Sequence, residues 1–167
     1  MIEIPITESM KKRAWHKARS MGKLKNSILQ GEGNIAGFLG EEVVNDLIDG
    51  TISNTYDYDI VYETKSQNIK YDVKTKRCTS PPKSYYECSV AAYNTKQDCD
   101  RYAFVRIEWV KGKWGRAWVL GWLESKEYYS KAKKLCKGDV DPSNGYKVKA
   151  DCYNVAISDL REFRRRK

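Results

Sequence analysis

Apolar residues recur with a helical period early in the chain and with a strand period later. Between Asn34 and Asp49, Ile35, Phe38, Leu39, Val43, Leu47 and Ile48 stand mostly three or four apart. That spacing predicts an amphipathic helix ending near Gly50. Residues 8–24 predict an earlier helix of another kind, which Thr7 can cap and which closes near Gly22. Its surface is basic: Lys11, Lys12, Arg13, Lys17, Arg19, Lys23 and Lys25 stand against Glu8. The stretch Gly31-Glu32-Gly33 predicts a break between the two helices.

From Tyr56 onward β-branched and aromatic residues dominate. Tyr58–Thr64 and Ile69–Lys76 predict paired strands, with Lys65-Ser66-Gln67-Asn68 as the turn. Pro81 and Pro82 exclude a central strand in the loop that follows. Tyr86–Ala92, Tyr102–Trp109 and Arg116–Trp122 predict three more strands, the last two joined through Lys111-Gly112-Lys113. Glu124–Leu135 predicts a helix, Asp139–Gly145 a loop and Tyr153–Ile157 a short strand, and Ser158 or Asp159 can cap a last turn. Helices, then strands, then a helix predict a single α/β or α+β domain over residues 1–167. A basic helix (about 8–24) opens it and a basic tail (about 161–167) closes it.

Charge narrows the partners. The formal net charge is +9, which suits a polyanion: nucleic acid first, an anionic membrane surface second. Five cysteines, odd in number and without a Cys-x-x-Cys pair, argue against a zinc cluster and for reduced, unpaired thiols in the cytoplasm. No apolar run is long enough for a signal peptide or a membrane span, so no membrane partner is expected. The oligomeric state is not legible, and a homodimer is compatible with everything above.

The candidate chemistry lies in the first predicted hairpin. Successive side chains of a strand alternate between faces, so Asp72 and Lys74 share one. With a turn centred on Ser66 and Gln67, Asp59 stands opposite Lys74 on that face, and Val61 stands opposite Asp72. Two carboxylates so placed can converge on one divalent cation, with the Val73 carbonyl as a further oxygen. A hard ion such as Mg²⁺ polarises a phosphoryl oxygen and acidifies a bound water. A lysine beside it can orient that water and offset charge building on phosphorus. Without more, an Asp-x-Lys triplet on a strand is equally a weak cross-strand ion pair.

The preceding helix adds a third carboxylate. In Gly37-Phe38-Leu39-Gly40-Glu41 two glycines precede a glutamate whose stripe, with Val44 and Ile48, turns toward the protein body. Glu42 falls with Asn45, Asp46 and Asp49 on the solvent side. An inward carboxylate needs a cation, either a metal or a lysine at the edge of the core.

Gly-x-x-Gly-Glu on a helix, Asp59 in Tyr-Asp-Tyr-Asp-Ile-Val and Asp72-Val73-Lys74 on the next strand resemble the PD-(D/E)xK nuclease superfamily in order and spacing over residues 33–77. The strand Tyr102–Ile107 looks like the family's next core strand. The resemblance implies a restriction-endonuclease-like fold, a mixed central sheet flanked by helices. It also implies cleavage of DNA phosphodiesters with Mg²⁺ or Mn²⁺. By it, Glu41, Asp59 and Asp72 are metal ligands and Lys74 is the catalytic lysine. The chain departs from the pattern in having Tyr58 where a proline would precede Asp59, and Asp57 competes with Asp59 for the ligand role. Gln97 and Tyr102 stand one residue too far apart for the Gln-x-x-x-Tyr motif of some members.

DNA contacts are expected from Lys76 and Arg77 beside the site, from Lys11, Lys12, Arg13 and Lys17, and from Arg164, Arg165 and Arg166. Tyr85, Tyr86 and Tyr93 can stack on a frayed base, and the Trp109–Trp122 tryptophans suit packing. Asp139–Gly145 has its glycine one position late for a calcium loop and reads as turns. His16, the only histidine, belongs to no triad pattern. The competing reading is a non-catalytic basic nucleic-acid-binding module, or a subunit of a DNA-processing complex.

Overall fold

The computed structural model describes residues 1–21, 33–53, 55–142 and 145–164. Along the chain lie β1 (Ile2–Pro5), α1 (Glu8–Met21), α2 (Gly33–Ile48), β2 (Thr51–Ile52), β3 (Ile60–Glu63) and β4 (Asn68–Cys78). Then come β5 (Glu87–Ala91), β6 (Arg101–Val110), β7 (Lys113–Glu124), α3 (Ser125–Lys131), β8 (Lys133–Leu135) and β9 (Cys152–Ala156). Two 3₁₀ turns occupy Ala92–Lys96 and Ile157–Asp159.

Six strands form a mixed sheet in the order β1-β7-β6-β4-β3-β2. The β4–β6 pair is parallel, with Asp72 beside Tyr102 and Lys74 beside Phe104, and the other pairs are antiparallel. The chain is therefore a mixed α/β protein. Strand alternation gives the sheet two buried faces. Tyr71 and Val73 of β4, with Ala103, Val105 and Ile107 of β6, pack with Met10 and Ala14 of α1 and Leu39 and Val43 of α2. On the other face Tyr102, Phe104, Trp118 and Leu120 pack with Val90, Tyr128 and Val155.

That second face carries more than a helix. It is covered by a smaller antiparallel sheet, β5-β9-β8, together with α3. The predicted helix 124–135 stops at Lys131, where Ala132 turns extended, and Lys133–Leu135 pairs with β9 instead. The pairing satisfies backbone groups that a longer helix would have used internally.

The hairpin register also differs from the expected one. Glu63 pairs with Asn68, and Ile60 with Tyr71, a slip of two residues. The reason is Thr64: its hydroxyl donates to the Gln67 carbonyl and accepts from the Ser66 and Gln67 N–H groups, closing a four-residue loop. A slip of two leaves every side chain on its original face.

Gly40 sets how closely α2 approaches the sheet. A Cβ there would sit 1.8 Å from Thr75 Oγ1 and 3.0 Å from Thr75 Cβ. Gly37 has open space around the same position, so only one of the two glycines is a contact requirement. Gly40→Ala is expected to destabilise the protein by about 1–3 kcal/mol through overpacking. Thr75→Ala in the same chain should recover part of the loss, as read by urea unfolding.

Candidate active site

β3 begins at Ile60, so the N–H of Val73 on β4 has no ladder partner from that strand. The Asp59 carboxylate takes that place, with Oδ2 accepting the Val73 N–H at 2.7 Å. Thr55 shapes the approach by accepting the Tyr58 N–H and donating to the Tyr58 carbonyl. Asp57 is committed elsewhere, since Oδ1 accepts the Asp98 N–H at 3.3 Å. Of the two aspartates, Asp59 is the one whose carboxylate reaches β4.

Asp72 is 4% exposed. Its Oδ2 lies 2.5 Å from Lys74 Nζ but accepts no well-directed hydrogen bond. Gln97 bridges the pair: Lys74 Nζ donates to its Oε1 at 3.4 Å, and its Nε2 donates to Asp72 Oδ1 at 3.4 Å and to the Tyr56 carbonyl at 2.8 Å. The Lys74 ammonium also stands 5.8 Å from the centre of the Tyr102 ring. Sequence reasoning set Gln97 aside because its spacing to Tyr102 failed a motif. The signal that could have found it was its place at the end of a turn leading into β6, the strand parallel to β4.

Glu41 is buried on α2, and Lys17 of α1 donates to its Oε2 at 2.6 Å. Glu42 is not on the solvent side as expected. It is buried under α1 and paired with Arg13 at 2.7 Å. Two of the basic residues expected on DNA, Arg13 and Lys17, are therefore engaged with α2, and Lys11 pairs with Glu8. Lys12 is exposed. Lys76 shares the face of Lys74, whereas alternation places Arg77 on the opposite face of β4.

The described part of the tail is tied to the domain. Arg161 exchanges backbone hydrogen bonds with Trp122 and pairs with Glu127, and Phe163 packs near Tyr71 and Trp122. Arg164 is exposed, and Arg165 and Arg166 lie outside the described residues. His16 stands at the protein surface against the edge of Trp15. In the loop once compared with a calcium site, Asp139 Oδ2 accepts the Cys136 N–H. Burial pushes the Cys88 and Cys99 thiols up to about 12, so neither supplies a thiolate nucleophile at neutral pH.

The Asp72 charge disfavours the charged forms of Asp59 and Glu41. Burial pushes the Asp59 carboxyl well above its ordinary range, and the Asp72 and Glu41 charges push it further. Burial also raises Asp72, against the pull of Lys74, and raises Glu41, against the pull of Lys17. Among the described residues, no three His, Cys, Asp or Glu side chains form a ready-made metal-binding group. The donors nonetheless suit a hard cation, since all are carboxylate oxygens. No family model matches the chain, and no curated protein matches it.

Repulsion at this site implies that part of it opposes folding. Asp59→Asn keeps an oxygen for the Val73 N–H and removes a charge. In metal-free buffer it is expected to stabilise the protein by about 1 kcal/mol, a few degrees in thermal melting.

Proposed function

We propose that the chain is a metal-dependent deoxyribonuclease of the PD-(D/E)xK type with a restriction-endonuclease-like fold, working inside the cell on DNA. The observation that carries this reading is the arrangement around Asp72. A buried aspartate on the central strand has Lys74 on its own face, Asp59 reaching in from the end of the neighbouring strand, and Glu41 from a helix within electrostatic reach. Among the described residues no helix is long and apolar enough to cross a membrane.

Asp59 and Asp72 would hold Mg²⁺ or Mn²⁺, with Glu41 completing the set once Lys17 releases it. Val73 would contribute its carbonyl, while its N–H stays with Asp59. The bound cation supplies a polarised phosphoryl oxygen and an acidified water. Lys74 is the residue that touches the reacting phosphate: Asp72 and Gln97 hold its ammonium in place, and its charge offsets the charge that builds on phosphorus. Gln97 acts through Lys74 and is a positioning residue. Lys12, Lys76 and Arg164 are the exposed cations nearest to the roles expected for phosphate contacts, which fix the backbone without reading sequence.

The test is a cleavage panel of duplex, overhang, junction and single-stranded DNA with Mg²⁺ or Mn²⁺. Wild-type protein is expected to cut at least one form. Lys74→Ala is expected to lower the rate by about 10²–10³-fold, the scale of losing one preorganised charge, while DNA binding in a gel-shift assay is retained. Binding without cleavage of any form by the wild-type protein would instead support the basic binding module.

A further inference from the structure

Next to Lys74 the protein opens into a cleft of about 840 Å³ between the central sheet and the small one. That volume is in the range of sites that enclose a small organic group. Its walls follow from strand alternation. Cys88, Val90 and Val155 point into the core, so Glu87 and Ser89 of β5 and Cys152 and Asn154 of β9 line the cleft. Lys74, Lys76 and Arg106 line it from the central sheet. Tyr85, Tyr93 and Tyr146 stand at its edge, 62%, 59% and 53% exposed.

Asn154 carries the argument. It is 7% exposed, and its Nδ2 donates to Glu87 Oε2 at 2.8 Å. A carboxylate oxygen accepts, so this contact fixes which end of the amide is which. The Oδ1 atom is left buried with no partner. A buried acceptor without a donor is unfavourable, and a ligand N–H would offset that cost. The cleft thus joins an unmet acceptor, exposed aromatic rings and a cationic wall running to Lys74.

We propose that this cleft receives one unpaired nucleotide of the substrate strand. The base stacks on the rim tyrosines and donates an N–H to Asn154 Oδ1, and its phosphate lies along Lys76 toward Lys74. A base stacked in a duplex cannot enter such a cleft, and its ring N–H is spent on its pairing partner, so the cleft selects a base that is free. The acidic residues suit the same ligand: Glu87 and Asp141 lie on the base side, where a bare polyanion would be repelled. This assignment rests on the nuclease reading for its phosphate register, and it names the substrate class: DNA with a single-stranded segment at the cut site.

The experiment measures binding in chelator, so no cleavage enters. The probes are two hairpin DNAs with one stem, one blunt and one carrying a four-nucleotide overhang with 2-aminopurine. Wild-type protein is expected to bind the overhang about tenfold more tightly and to quench its fluorescence. Asn154→Ala should reduce that preference toward the blunt stem's affinity. Because Asn154 is buried, Tyr85→Ala/Tyr93→Ala serves as a second variant at exposed positions, and quenching should fall by at least half. Equal affinity for the two hairpins would overturn the proposal, as would quenching that survives the tyrosine variant. Equal quenching of the free 2-aminopurine mononucleotide would also overturn it, by assigning the cleft to a small nucleotide. Cleavage without overhang preference would leave the nuclease reading intact, and overhang preference without cleavage would remove the nuclease reading alone.

Discussion

The ion pair between Asp72 and Lys74 is where the constraints on this molecule meet. A carboxylate almost wholly withdrawn from solvent is tolerated because an ammonium on the same strand face stands 2.5 Å away. The pair is under tension from its surroundings. Asp59 and Glu41 bring further negative charge, and each is raised by burial. Under the proposed function, these three carboxylates are where a divalent cation would bind.

The rest of the fold follows from keeping that pair in place. β4 is central, so Asp72 and Lys74 sit between a parallel neighbour, β6, and a short neighbour, β3, whose start at Ile60 leaves room for the Asp59 side chain. Gly40 lets α2 come down onto Thr75 and carries Glu41 with it. α1 lies across α2 and commits Lys17 and Arg13 to Glu41 and Glu42. Two cations of the first helix thus pair with acids of α2. The tryptophan and tyrosine content divides likewise. Tyr102 and Tyr128 are core, and Tyr85, Tyr93 and Tyr146 are presented to solvent around the cleft.

Local pattern made β3 to β7 and β9, the helix 33–48 and the shared face of Asp72 and Lys74 legible, because alternation needs only sequence order. The face of Asp59 was legible for a weaker reason: the true register differs by two, and an even slip conserves the face. What alternation cannot reveal is competition from a side chain, and the Thr64 hydroxyl decided the turn. Lys133–Leu135 continued a helical composition, and only pairing with β9, about twenty residues later, made it a strand. β1 is four residues long and gains its place from β7, more than one hundred residues away. The burial of Glu42 and the role of Gln97 depend on contacts across the chain, with Arg13 in one case and with Asp72 and Lys74 in the other. Neither leaves a periodic trace.

The central claim is that the Asp59–Asp72–Glu41 cluster is built for a hard divalent cation. Calorimetric titration of the purified protein with Mn²⁺ at neutral pH tests it most directly. The account predicts saturable binding with release of protons, since the carboxyls are raised in the empty site, and loss of that binding in Asp72→Asn. No binding to the wild-type protein, or binding that Asp72→Asn leaves unchanged, would contradict it.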